Sequence, residues 1–292
     1  GEHVAWAESN AIVFANSVLG ARTHRWGDFI DLCCAVTGRA PAAGLHLDAN
    51  RLATAVVRLD GVSDELLDRD VLYPVLGGLI GPLVGKSVPV IVGLPDGVSE
   101  DRLKALGAAA ASTGSVGLFH VAGSTPEAPT LDAALGGRAP VAEFEVGPED
   151  LRAARDRLST TDDDRLRTVS LGTPQYSVGQ FGRLVEVLGD RRIHDGVNVY
   201  ASTGRDVLRE VELRGWADRL VDAGVQMVVD TCTYFTSIIE DTSGTSMTDS
   251  AKWAYYAPGN LGVEVVFGSI EDCVESAVAG RVVRDEGLWT RV

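Results

Sequence analysis

Apolar positions along the chain follow two rhythms. Short runs of Val, Ile and Leu end in Gly, Ser, Thr or Asp, and stretches with apolar residues three and four apart follow them. The runs at 53–59, 88–94, 116–121, 141–146, 168–171, 197–200, 225–229 and 263–267 predict strands. Val178, Phe181, Leu184, Val185 and Leu188 mark one face of a helix. Val207, Leu208, Val211, Trp216, Leu220 and Val221 largely mark another, with Gly224 placed as its C-terminal cap. A helix is also predicted over 99–105. In the last helix Ser269 and Asp272 stand as a capping pair, Ile270, Cys273, Val274, Ala277 and Val278 form the buried face, and Gly280 ends it. Strands alternating with helices predict an α/β fold with mainly parallel sheets flanked by helices.

The first sixty residues differ. Residues 5–21 are small and apolar but carry Glu8, Ser9, Asn10, Asn16 and Ser17, which need partners or a ligand if buried. An uncharged run over 71–85 is interrupted by Pro74, Gly77, Gly78, Gly81 and Pro82, so it is too short and broken to span a bilayer. A domain boundary is weakly signalled between 60 and 87, which gives parts 1–86 and 87–292. Repeats, low-complexity tracts and Pro/Ser-rich linkers are absent from the sequence.

Charge narrows the function classes. With 26 basic and 41 acidic residues the net charge is 26 − 41 = −15, which argues against nucleic-acid or anionic-membrane surfaces. Four cysteines in 292 residues do not form a disulfide framework, no secretory signal is visible, and a reduced, cytoplasmic setting is expected. The first residue is Gly1 rather than Met, the expected mark of a trimmed chain or a piece of a longer one.

Several motifs fail on inspection. Gly85-Lys86-Ser87 imitates a phosphate loop, but the position of its first glycine is Ile80, and a strand follows where a helix should. A dinucleotide fingerprint is missing, and His3, His24, His46, His120 and His194 lack metal-ligand spacing. What remains is a set of strand ends: Gly172-Thr173-Pro174, Ala201 through Arg205, Asp230 through Thr233, and Ser246 through Lys252. They are rich in small hydroxyls, which either cap helices or cradle a carboxylate or phosphate. Cys33, Cys34 and Cys273 read as packing residues, whereas Cys232 follows a strand at a turn and reads as functional.

Five blocks carry a resemblance: residues 1–29 (GEHVAWAESNAIVFANSVLGARTHRWGDF), 37–51 (TGRAPAAGLHLDANR), 170–177 (SLGTPQYS), 228–232 (VVDTC) and 249–277 (DSAKWAYYAPGNLGVEVVFGSIEDCVESA). Together they closely resemble the aconitase X family of the aconitase superfamily. The resemblance implies layered α/β sub-domains, an iron or iron–sulfur centre (2Fe–2S favoured) and dehydration of a small hydroxy acid. Members are similar to cis-3-hydroxy-L-proline dehydratases or to mevalonate 5-phosphate dehydratases. The WGDF stretch, and Thr173 where the archaeal phosphomevalonate branch tends to have cysteine, lean toward the hydroxyproline branch. Family catalytic chains also carry a segment before the GEH motif and a small swivelling domain, fused or separate. Partner chains supplying these are therefore implied, and Gln175 stands where relatives can have His.

In the roles so implied, Cys232 is the metal ligand, and Lys252, Ser250 and His46 are catalytic. Glu8, Ser9, Asn16, Arg22, Ser202, Thr203 and Gly204 bind substrate. Elimination of water next to a carboxylate needs cations or N–H donors for the developing charge, which Arg22, Lys252 and the helix start after Gly204 offer. A non-catalytic scaffold subunit is the competing reading from another class.

Overall fold

The computed structural model describes residues 1–27 and 29–290, which form two compact units, Gly1–Arg152 and Ala153–Thr290. The first begins with two helices, α1 (Ser9–Ser17) and α2 (Ile30–Thr37). Then follow β1 (Ala55–Leu59), α3 (Asp64–Leu67), α4 (Leu72–Val84), β2 (Pro89–Val92), α5 (Glu100–Thr113), β3 (His120–Val121), α6 (Leu131–Leu135) and β4 (Ala142–Val146). The strands are all parallel in the order β3-β2-β1-β4. Ala53, Val56, Val90, Ala128, Ala134 and Leu135 form a buried cluster around that sheet.

The interrupted run at 71–85 is helical, because packing overrides propensity there. A Cβ on Gly77 would sit 2.2 Å from the Leu106 carbonyl oxygen, and one on Gly81 would sit 2.2 Å from Thr113 Oγ1. Only glycine lets α4 lie this close to α5. The division expected near 86 falls inside the first unit, where Ala55 pairs with Pro89 and Val57 with Ile91 across it. The strand expected over 116–121 shortens to His120–Val121, with only Val90 and Ile91 opposite. Cys34 is buried as expected, but Cys33 is exposed, because α2 turns only one side inward.

The helix α7 (Pro148–Asp156) leads into the second unit, made of β5 (Leu166–Tyr176), α8 (Val178–Leu188), β6 (Asn198–Thr203), α9 (Arg205–Leu213), α10 (Trp216–Ala223), β7 (Val225–Val229), β8 (Thr245–Thr248), α11 (Ala251–Leu261), β9 (Glu264–Phe267), α12 (Ile270–Ala279) and α13 (Gly287–Thr290). Its sheet is also all parallel, in the order β7-β6-β5-β8-β9. Val169, Leu171, Val199, Ala201, Met247 and Val266 pack against Phe181, Leu184, Leu220, Cys273 and Val274. Capping boxes open α8 (Ser177 with Gln180) and α12 (Ser269 with Asp272), the latter as the sequence predicts. The single stripe over 207–221 divides into α9 and α10, because Gly215 turns left-handed between them. Ser246–Thr248, expected in a strand-end loop, belongs to strand β8.

Candidate active site

In the second unit the chain runs β5 to β6 to β7 in one direction, then returns to place β8 on the other side of β5. This reversal falls between β5 and β8, and in open parallel sheets ligands bind beyond the carboxyl ends of the strands at such a switch point. The tails of β5 and β8 approach each other there: the Tyr176 hydroxyl donates to the Asp249 carboxylate. Burial, then the neighbouring Asp249 charge, push the Tyr176 pKa far up, so the phenol keeps its proton. Ser250 caps α11: its hydroxyl accepts from the Trp253 N–H at 3.0 Å and donates to the Thr173 carbonyl. Lys252 is buried in the first turn of the same helix.

The turn after β7 is anchored from beneath. Thr233 is fully buried, accepts from Trp253 Nε1 at 2.8 Å and shares a 2.6 Å hydrogen bond with Ser170. The Cys232 carbonyl accepts from the N–H groups of Phe235 and Thr236. Cys232 itself is half-buried, whereas Cys273 is fully buried on α12, and burial drives its thiol pKa well up, so Cys273 packs and does not react.

The expected anion position at the start of α9 is taken by protein. Gly204 is the N-cap and brings no side chain, and Asp230 fills the place by accepting from Arg205 N (3.1 Å) and Arg205 Nε (2.6 Å). The Arg205 hydrogen bonds hold the Asp230 carboxyl below its usual range, and Asp230 adopts a left-handed φ of 57°. Thr203 donates to the Tyr176 carbonyl at 2.9 Å. Among the described residues, Thr173 Oγ1 and Ser202 Oγ are buried without a hydrogen-bond partner. Such orphans are rare and mark places where another group belongs.

The other predicted residues lie in the first unit. Glu8 caps α1, accepting from the Ala11 N–H at 3.0 Å and from Ser9 Oγ at 3.2 Å, and holds a left-handed φ of 73°. Asn16 is enclosed: Nδ2 donates to the carbonyls of Thr23 and Gly117, and Oδ1 accepts from Thr23 N and Arg51. Arg22 pairs with Asp48. His46 accepts from Trp26 Nε1 at Nε2 and meets His3 through the two Nδ1 atoms at 2.8 Å, so His46 carries its proton on Nδ1 and donates to His3. The structure thus gathers Ser250, Lys252 and Cys232 at strand ends of one unit and Glu8 with Ser9 at one helix start of the other.

Sequence reasoning passed over Arg51, which is 2% exposed. It donates to both Glu127 carboxylate oxygens, to Asn16 Oδ1 and to the carbonyls of Leu45, Asn16 and Ala21. It also missed the pairs Tyr176–Asp249 and Arg205–Asp230, whose members are joined only by the fold or across 25 residues.

Burial lowers the pKa of His24, His46 and His120 below the usual 6.5. His120 is neutral, with Nε2 donating to the Arg51 carbonyl at 2.7 Å. Unfolding frees these rings to take protons, so their contribution to stability is whole above the unfolded value and is lost as pH falls through the lowered ones. Melting temperature should therefore drop between neutral pH and about pH 5, and His120→Gln should flatten that slope. A slope unchanged by the substitution would contradict this.

Models of the aconitase X first, second and third domains match residues 1–49, 53–156 and 166–279. The crystal structure of holo aconitase X from Thermococcus kodakaraensis superposes with a TM-score of 0.81 at 30% identity, covering 95% of this chain and 68% of that one. The chain belongs to the aconitase X family. Within aconitase X, it is similar to cis-3-hydroxy-L-proline dehydratase of Pseudomonas aeruginosa, 44% identical over 99% of this chain and 50% of the relative. It is also similar to the phosphomevalonate dehydratase large subunit of Methanothermobacter thermautotrophicus, 38% identical over 91% of this chain and 64% of that subunit. The chain spans about half the length of the hydroxyproline dehydratase it matches. No helix among the described residues is long and apolar enough to cross a membrane.

Proposed function

We propose that this chain forms part of a cytoplasmic hydro-lyase that removes water from cis-3-hydroxy-L-proline. The 44% identity over 99% of the chain to a dehydratase of that name carries the reading. In this reaction the proton on the carbon bearing the carboxylate departs, the neighbouring hydroxyl leaves as water, and the resulting enamine tautomerises to a pyrroline carboxylate. Charge develops beside the carboxylate. Lys252 and the amino-terminal end of α11 supply positive potential for it at the end of β8. Ser250 holds that helix start against Thr173, and the Ser202 and Thr173 hydroxyls are donors without other occupation.

Kinship with aconitase X supports an iron–sulfur centre, and the form proposed is 2Fe–2S with Cys232 as the thiol at the strand ends. Among the described residues no group of three or more His, Cys, Asp or Glu stands together as a metal site. Of the described residues, Cys232 is the one proposed to meet such a centre, with the remaining donors proposed to come from the partner. A small swivel-domain subunit or a chain carrying a further segment is the proposed partner; the large-subunit name of the archaeal relatives supports the former.

The alternative, dehydration of mevalonate 5-phosphate, is favoured by the archaeal relatives. Assaying both substrates side by side on the natively assembled protein separates the two. Water loss from hydroxyproline alone is expected; turnover of the phosphorylated acid alone would reverse the assignment, and turnover of neither would favour a scaffold.

A further inference from the structure

Three consecutive residues at the passage from β8 into α11 are tied to β5. The Thr248 hydroxyl donates to the Ser170 carbonyl at 2.7 Å, the Asp249 carboxylate accepts from the Tyr176 hydroxyl, and the Ser250 hydroxyl donates to the Thr173 carbonyl. Tyr176 is itself fixed. It is buried, its ring stands edge-on to Phe181 with centroids 5.7 Å apart, and its carbonyl accepts from Thr203 Oγ1 at 2.9 Å. Burial and the Asp249 charge keep the phenol protonated, so it stays a donor. Beyond Lys252, Trp253 Nε1 donates to Thr233, which shares a hydrogen bond with the Ser170 hydroxyl. Lys252 thus stands in a short stretch of chain that is tied to β5 on both sides. It is buried in the first turn of α11, where desolvation and the helix dipole both oppose a cation. A long flexible stem would carry such a charge out to water if the backbone beneath it were free to turn.

We infer that these ties form a clamp that holds the Lys252 side chain in one position at the end of β8, with Tyr176 as a positioning residue that acts through Asp249. Asp249 precedes the Ser250 cap and Lys252 lies two residues after it, so fixing the chain on both sides fixes where the lysine stem leaves the helix. Ser250 both caps α11 and reaches β5, so its loss would disturb the helix itself. Loss of the phenol oxygen leaves that cap in place and frees the residue before it, which separates position from helix formation. A charge held in place beforehand needs no rearrangement when the reacting carbon loses its proton. That the held ammonium serves turnover rests on the proposed function; that it is held does not.

The sequence holds three lysines, Lys86, Lys104 and Lys252, and Lys86 is exposed. In the full chain, with lysine isotopically labelled at Cε, the magnetic-resonance signal missing from Lys252→Met belongs to Lys252. A fixed Cε methylene shows two inequivalent protons, and a freely turning one shows a single averaged shift. Wild type should show inequivalent protons at Lys252, and Tyr176→Phe should average them. Thr248→Val, which cuts a different tie, should act the same way and serves if the phenylalanine variant does not fold. Averaged protons in the wild type, or inequivalence unaltered in the folded variants, would overturn the inference. Turnover is then read on whichever hydroxy acid the natively assembled wild type dehydrates. Tyr176→Phe should lower kcat about tenfold and leave KM within about twofold, the mark of a misplaced group. In the Lys252→Met background the same substitution should change kcat less than about twofold. A full tenfold loss in both backgrounds would mean that the phenol acts independently of Lys252, and would also overturn the inference. A wild type that dehydrates neither acid would strike the proposed function and leave the lysine signal to decide the clamp.

Discussion

Replacing Arg51 by Met should cost the protein about 3 kcal/mol of unfolding free energy, near the lower end for breaking a buried ion pair. Every N–H of this guanidinium has an acceptor, and the acceptors come from α1, the segment after it, the turn at Leu45 and Glu127. Removal leaves the carbonyls of Leu45, Asn16 and Ala21 without this donor in a dry place and leaves Asn16 Oδ1 with the Thr23 N–H alone, and each lost partner carries its own desolvation cost. Glu127 is 30% exposed at its side chain, so water can take over part of its charge, which is why the lower end applies. Arg51→Lys should recover only a fraction, since one ammonium cannot reach acceptors spread around a planar fork. Urea unfolding followed by circular dichroism measures this. A change below about 1 kcal/mol for the Met variant would mean that the guanidinium does not tie these segments together.

Strands with an apolar rhythm are legible in the sequence. The run at 225–229 is β7, and those at 53–59 and 88–94 contain β1 and β2. The strand β8 was not legible, because Thr245, Ser246, Met247 and Thr248 show no alternation. All four are buried, and Thr248 satisfies its hydroxyl on the Ser170 carbonyl, a contact that only the sheet register creates. The helix α4 was hidden for a related reason: its glycines lower helix propensity locally and are required by the α5 backbone, far along the chain. At the site, the hydroxyl-rich strand ends were visible as composition. The order in which the strands return was not, so neither the β5/β8 switch point nor the Tyr176–Asp249 pair could be read. Arg51 carried no signal, because its partners are mostly carbonyls, which every sequence supplies.

Lys252→Met should lower turnover by about a hundredfold to a thousandfold, the range for removing one preorganised electrostatic contact from a transition state. Lys252 is 6% exposed and sits in the first turn of α11, the end of a helix where positive charge is least welcome. Holding an ammonium there concentrates positive potential at the end of β8, which suits a carboxylate whose neighbouring carbon is losing a proton. Met matches Lys in length and apolar stem, so α11 and its Ser250 cap should persist. The loss should therefore fall on turnover and leave melting temperature within a few degrees.

The decisive measurement is pyrroline carboxylate formation from cis-3-hydroxy-L-proline by the natively assembled protein, wild type beside Lys252→Met. Rapid product formation by the wild type, nearly abolished in a folded variant, is the predicted result. Equal rates in the two proteins, or no product from a wild type that turns over another hydroxy acid, would contradict it.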